Sequence, residues 1–520
     1  MTHQRTPLLL YSIAPDRIPQ DAPEDHWTDA NNVLFKNGET VRIPPDRTTL
    51  DGATHPARTA IYTISSKGAR YWVYASEAGI WAHDGTTETE ITPDSGWTSA
   101  YAPNENWTSC SMGGIVYFNG SERDPVYWAG DTSKKAEVLP DWPSGGRVNA
   151  LRAHKNFLFA IGALDGNFIG QRLNWSDAAE PGTVPQHWSP AADNLAGFVD
   201  FTAEAAPLLD GETLRDNFLL YKSEGVYQAT FVGGNDVFAF RKLFSEHGIA
   251  GVNAVTTGID DVHVFAGDDG DMYMTDGVEV ISILDQKAQR KYYSEFEANE
   301  RRTFVSLTLA REKLALMCYQ GFGAKEGTCN RAVIFNFIDR SISFRDVADV
   351  TCGSEGSQLF PTSSQGGDWD SDNDSWDSDD TIWNSFIEEL SVDDAVVGAL
   401  DGFHLLTNVS GADEAGKEIT ARVERYGLAL GNAEIRKDIV RCWPKVEGAP
   451  GDVLHFQFGF QEIAGGPFTL TQVIDFTIGQ QRHIDFMAQG RYFAVFVSST
   501  GGSSWRLGSM DFEVRAAGEW

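Results

Sequence analysis

Asp370, Asp372 and Asp374 alternate with polar residues in GGDWDSDNDSWDSDDTIWN, residues 366–384. Oxygen ligands at alternating positions open the calcium loop of an EF-hand, where carboxylates replace part of the water shell of a hard cation. The match ends there. The sixth position is Ser375 where the sharp turn needs Gly, and the twelfth is Thr381 where a bidentate Glu is needed. The chemistry left to these side chains is electrostatic: with Asp377, Asp379 and Asp380 they make a solvated acidic loop, and no metal or other cofactor is assigned.

The remaining constellations are weaker. SSTGGSSW, residues 498–505, comes near the Asp-box of sialidase-like propellers but has Thr500 at the aspartate position, and that motif is structural where it occurs. His26, His83, His154, His187, His247, His263 and His404 are scattered without HExxH or paired spacing, which disfavours zinc chemistry. Neither a GxxxxGK[ST] element nor a GxSxG elbow occurs, which disfavours nucleotide binding and an α/β-hydrolase nucleophile. Glycoside hydrolysis needs paired carboxylates, and 74 acidic residues offer no way to choose a pair. The chain is read as a non-enzyme, with a receptor-binding or polysaccharide-degrading propeller as the alternative.

The same acidic stretch sets Trp369, Trp376 and Trp383 seven residues apart. One apolar residue per seven does not make a coiled-coil seam, and Asp, Asn and Ser compete with helical backbone bonding. A loop array anchored to a neighbouring surface by three rings fits better. Between residues 346 and 416 there is no Lys or Arg against 17 Asp and Glu, about half of the net charge of -33. Such a surface faces water, cations, a basic partner, or a space meant to repel polyanions. Tight binding to nucleic acid is disfavoured because phosphate neutralisation needs Lys and Arg, whereas a wall that DNA slides past suits negative charge. The five cysteines, Cys110, Cys318, Cys329, Cys352 and Cys442, lack metal-ligand spacing and read as reduced thiols; Cys318 and Cys329 are placed to face each other across a hairpin. No segment approaches the length of a membrane span or a signal h-region, so folding in a cytosol is expected.

The elements that must carry these residues are strands. With 51 Gly, 15 Trp, 15 Tyr and 31 Phe the chain suits a turn-rich, aromatic-rich all-β protein. From about residue 58 short strand-turn-strand units recur, such as RYWVYAS, EAGIWAHDG and TETEITP, then GGIVYFNG, DPVYWAG and KAEVLPDW. Units of about 35 to 45 residues are in the range of propeller blades, and radial repetition lets many small sheets bury both faces. One helix is expected within residues 285–302. The fold expected is an irregular β-propeller over residues 56–416 with the acidic Trp-containing insertion at about 346–416. An N-terminal arm or platform over 1–55 precedes it, and a C-terminal β-sandwich of seven longer strands over 417–520 follows.

Three segments resemble the nozzle proteins, or tail tubular protein B, of short-tailed bacteriophages. HWTDANNVLFKNGETVRIP, residues 26–44, is similar to the family's opening. The Trp369 to Trp383 array is the second, and GRYFAVFVSSTGGSSWRLGSMDFEVRAAGEW, residues 490–520, is similar to its ending. The resemblance implies a β-propeller subunit of the virion tail, assembled in the host cytoplasm into a ring, commonly a hexamer. The ring would lie between the tail adaptor and the distal tail or fibre proteins, and double-stranded DNA would pass through it without tight binding. On that basis Asp370, Asp372, Asp374, Asp377, Asp379 and Asp380 are channel or gate candidates. Trp27, Trp369, Trp376, Trp383, Trp505 and Trp520 are interface candidates, since buried Trp is over-represented among interface hot spots, with core packing within the subunit an equal reading for Trp27 and Trp505.

Overall fold

The computed structural model describes residues 4–50, 52–102, 105–165, 167–168, 170–296, 303–357, 393–406, 419–501 and 504–518. Strands with alternating apolar positions and Gly-bearing turns build five four-stranded antiparallel sheets in succession. Their innermost strands are Thr59–Ile64, Trp107–Met112, Ala150–His154, Leu208–Leu214 and Val255–Thr257. A larger, seven-stranded sheet completes the ring as two blades. Its 16-residue strand Ile342–Ser357 pairs with Cys329–Asn336 through its first part and with Asp393–Ala399 through its second. Asp349, at φ 42, turns the strand between the two pairings. The outer strand of blade 6 therefore runs on as the inner strand of blade 7, where it packs against Phe304–Leu309 on one side and Thr59–Ile64 of blade 1 on the other. The fold is all-β and seven blades surround one axis.

Blade 7 is finished by Arg47–Thr49, which pairs antiparallel with Gly402–Leu406. Chain just upstream of blade 1 thus supplies the outermost strand of the last blade and fastens the ring. The first 55 residues are not a separate arm or platform, as the sequence suggested. Gln4–Leu9 and Glu39–Arg42 pair with Trp505–Gly518, and Asp29–Asn31 pairs with Ala421–Leu428. In this segment Val33–Lys36 and Glu39–Arg42 form a hairpin that extends the sheet of Trp505–Gly518, and Leu8, Leu10, Ile13, Trp27 and Phe35 bury themselves in a core supplied largely by distant chain. Three buried arginines fix it: Arg42 donates to the carbonyls of Ile419, at 2.9 Å, and Gly501; Arg425 donates to Pro19 at 2.8 Å and Ala22 at 3.0 Å; Arg345 pairs with Asp46.

The C-terminal strands form two sheets face to face, with Phe456, Phe458, Phe493, Val495 and Val497 packed against Ile439, Cys442, Leu507, Met510 and Phe512. Phe458 stacks on Phe486 with ring centroids 3.7 Å apart. The run FTLTQVIDFTI, residues 468–478, forms two short strands, Thr469–Leu470 and Ile474–Thr477. Between them Thr471 turns its N–H and hydroxyl back toward Phe458, which interrupts an otherwise open sheet edge. The sandwich core runs without a break into blades 4 to 6 through Trp27, Phe35, Phe335 and Phe344.

The helix within 285–302 is reduced to Gln289–Glu295. Asp285 and Gln286 adopt positive φ of 46 and 53, outside the right-handed helical region, so the helix starts after them. No helix among the described residues is long and apolar enough to cross a membrane.

Candidate functional site at the propeller axis

The seven innermost strands converge on a cavity of about 160 Å³. Each contributes polar atoms or backbone: Thr59 from blade 1, Ser109 from blade 2, Arg152 from blade 3, Glu212 from blade 4, Thr256 from blade 5, Ser306 from blade 6 and Ser354 from blade 7. The innermost strands stand side by side around the axis, so the residues they turn inward come together from sequence up to about 300 positions apart.

Arg152 holds the centre. Its Nε and Nη2 donate to the two oxygens of Asp210 at 2.8 and 2.7 Å, and Nη2 also reaches Asn253 Oδ1 at 2.8 Å. Asp210 further accepts the backbone N–H groups of Gly211 and Asn253, both at 2.8 Å, and Asn253 donates its side-chain amide to the Trp107 carbonyl at 3.0 Å. Four blades are tied by this one network. Asp210 is fully buried, and its charge is met by the bidentate geometry in which guanidinium and carboxylate match best.

Glu212 lies two residues further along the strand. One of its oxygens accepts the Thr213 N–H at 2.9 Å, and the side chain lines the cavity. Burial raises its carboxyl above the usual range, partly opposed by the Arg152 charge. At the cavity wall Arg58 pairs with Glu77 at 3.3 Å and lies over the Tyr101 ring.

His83, His154 and His263 are buried inside the blades. His263 takes Tyr221 Oη at 2.8 Å on one ring nitrogen and the Thr213 carbonyl at 2.9 Å on the other. His154 lies among Phe159, Phe218 and Phe238. Burial lowers both to about 4, so both are neutral at pH 7. The five cysteines are buried free thiols; burial pushes Cys110, Cys318 and Cys352 up to about 12, which makes them inert as nucleophiles. Cys318 stands opposite Ala332 and Cys329 opposite Val350, so the two do not face each other across the hairpin. Among the described residues no group of three or more His, Cys, Asp or Glu is placed to hold a metal ion.

The residues singled out from sequence fall in two classes. Asp370, Asp372, Asp374, Asp377, Asp379, Asp380, Trp369, Trp376, Trp383 and Trp520 lie outside the described residues. Trp27 and Trp505 are corrected from interface to core. Trp27 is 0% exposed with Nε1 donating to Thr40 Oγ1 at 3.0 Å, and Trp505 is 1% exposed with Nε1 donating to Ser499 Oγ at 2.7 Å. With the ring buried and its N–H satisfied inside the subunit, neither side chain has surface left for a partner.

The Asn-Val pair of the N-terminal motif has a structural role of its own. Asn32, at φ 58, receives the Asp346 N–H on Oδ1 at 2.8 Å and donates Nδ2 to Asp346 Oδ2 at 2.8 Å and to the Thr420 carbonyl at 2.9 Å. One amide thereby bridges blade 6 and the sandwich. Charge is divided along the chain: residues 56–416 carry 54 Asp and Glu against 25 Lys and Arg, whereas residues 417–520 carry 12 against 11.

The axial set was missed from sequence because its members are scattered. The one signal was a charged residue in the middle of an apolar inner strand, Arg152 in ALRAH and Asp210 and Glu212 in LLDGETL.

No family model matches the chain, and no curated protein matches it. Among solved structures it is similar to the extracellular domain of a hybrid two component system, BT3049, from B. thetaiotaomicron, at 10% identity and a TM-score of 0.42, covering 88% of this chain and 57% of that one. It is also similar to an inactive virginiamycin B lyase from Staphylococcus aureus, at 12% identity and a TM-score of 0.36, covering 60% and 93%. A third is the β-propeller domain of Cps50 from Myceliophteria thermophila, at 9% identity and a TM-score of 0.36, covering 58% and 90%. The chain therefore spans a little over half the length of the first of these, and the likeness is one of fold.

Proposed function

We propose that the chain is the subunit of a bacteriophage tail nozzle, a non-enzymatic ring-shaped channel that retains and then conducts the viral genome. The observation that carries this reading is the pairing of the two terminal motifs. Arg506 and Leu507, from residues 490–520, are register partners of Val41 and Thr40, from residues 26–44. A resemblance carried by opposite ends of the chain thus belongs to one folded unit.

Two further features support it. The propeller axis is too narrow to conduct DNA: a space of about 160 Å³ admits no duplex, whose major groove alone is about 12 Å wide. The conduit is therefore formed between copies, through ring closure of a heterologous interface. The excess of acidic over basic residues in 56–416 gives that conduit a wall that raises the energy of phosphate contacts and keeps DNA mobile. In the virion tail the ring would contact the adaptor on one side and distal tail or fibre proteins on the other.

Electron microscopy of the purified protein, alone and mixed with the adaptor ring of its tail, tests this. Closed rings with a central opening wide enough for a duplex are expected in at least the mixed sample, because a partner can gate assembly. Monomers in both samples would overturn the proposal, as would saturable binding or cleavage of host surface glycan by a protein that never forms rings.

A further inference from the structure

The axial cavity has a wall chemistry that the proposed function does not use. Its hydroxyl groups have backbone carbonyls within donating distance: Ser109 reaches Ala60 at 3.4 Å, Ser306 reaches Asn253 at 2.6 Å with Met317 Sδ also at 2.8 Å, and Ser354 reaches Glu355 at 3.2 Å. What these oxygens turn elsewhere is lone pairs. Ser109 spends one of its own on the Thr59 hydroxyl at 2.8 Å, and Thr256 shares a proton with Thr308 at 3.2 Å. Among the described residues Glu212 receives one hydrogen bond, from Thr213 N–H.

The charges facing the cavity do not cancel. Arg152 is held bidentate by Asp210 and Arg58 pairs with Glu77, so the Glu212 carboxylate, which Arg152 opposes only in part, leaves the lining with one negative charge in excess. An isolated carboxylate in such a place is costly unless a counter-charge or a proton meets it. A divalent ion would want several carboxylates, and only one is offered.

We infer that the axial cavity is a binding site for one compact monovalent cation, an alkali ion or a small protonated amine, held by the Glu212 carboxylate and the hydroxyl oxygens of Ser109, Ser306 and Ser354. Size sets the limit on the guest. A cavity near this volume holds a benzene-sized molecule, so the occupant has no more than about six non-hydrogen atoms. Bound there, it joins blades 2, 4, 6 and 7 across the axis and adds to the closure of the propeller. The inference does not depend on the nozzle reading, since it concerns the inside of one subunit.

Thermal unfolding at one ionic strength in chloride salts of N-methylglucamine, potassium and methylammonium tests it. N-methylglucamine is too large for the cavity and serves as the reference. The midpoint is expected to rise saturably with potassium, methylammonium or both above that reference, because a ligand that binds only the folded state stabilises it; the two arms tell an alkali ion from an amine. The rise should be lost in Glu212→Gln, which keeps the shape and removes the charge. No cation-specific rise in the wild type, or an undiminished rise in the variant, overturns the inference. If Glu212→Gln fails to fold, wild-type crystals soaked separately in rubidium and in methylammonium decide: anomalous density for rubidium or difference density for methylammonium within the ring of Ser109, Glu212, Ser306 and Ser354 supports the site, and the absence of both at saturating concentration refutes it.

Discussion

Replacing Asp210 by Ala removes the acceptor of four hydrogen bonds, two from Arg152 and one each from the backbones of Gly211 and Asn253. Arg152 then loses its bidentate partner and is faced only by the charge of Glu212 at the meeting point of blades 2 to 5. Breaking a buried pair from one side typically costs about 3–5 kcal/mol, whereas replacing both partners by apolar groups is often near neutral. Asp210→Ala and Arg152→Leu are therefore each expected to lower stability by about 3–5 kcal/mol, and Arg152→Leu/Asp210→Ala by clearly less than their sum. The coupling energy should be about 2–3 kcal/mol, at the upper end for residues in one network. Urea titration followed by tryptophan fluorescence, with amide exchange read at Ala150–His154 and Leu208–Leu214, measures it. Additive single-mutant costs, or a loss of protection confined to the sandwich, would show that the network does not hold the blades together.

Further outcomes follow from other parts of the molecule. His263 is lowered from 6.5 to about 4, so the folded state binds its proton less readily than the unfolded state does. Its contribution is present above pH 6.5 and is lost as pH falls toward 4, by about 3 kcal/mol for a shift of this size. His263→Gln should flatten the pH dependence of the thermal midpoint between pH 4.5 and 6.5, and parallel curves for variant and wild type would count against it. Asn32→Ala loses both the side-chain bridge between blade 6 and the sandwich and the residue type that tolerates φ 58, and about 2–4 kcal/mol of stability is expected to go with them, seen as faster proteolysis of the N-terminal segment. Trp27→Ala should unfold the isolated subunit at lower temperature by an amount equivalent to about 3–5 kcal/mol; an unchanged midpoint with failed ring assembly would return Trp27 to the interface. Replacing Asp370, Asp372, Asp374, Asp377, Asp379 and Asp380 together by Asn should weaken genome retention or slow ejection in assembled virions, and unchanged infection kinetics would remove the gate assignment.

Strand alternation between glycine turns, as in RYWVYAS and EAGIWAHDG, was enough to establish an all-β propeller, because those patterns are local and blades 1 to 5 are each made of consecutive chain. The sandwich strands were legible for the same reason, and so was the acidity of the middle of the chain. What local pattern could not carry was any pairing across long separations. Arg47–Thr49 reads as three polar residues in a loop until Gly402–Leu406 offers it an edge, and the first 46 residues read as an arm until Trp505–Gly518 and Ala421–Leu428 take them in as strands. Trp27 and Trp505 looked like anchors for a partner because large rings near chain ends have no obvious core in sequence; packing the two ends together made that core. The axial cavity was decided by ring closure alone, since Ser109, Arg152, Glu212, Ser306 and Ser354 become neighbours only when seven inner strands share one axis. Local backbone preference and side-chain periodicity are written residue by residue, whereas the surroundings of a side chain are set by whichever distant strand closes against it.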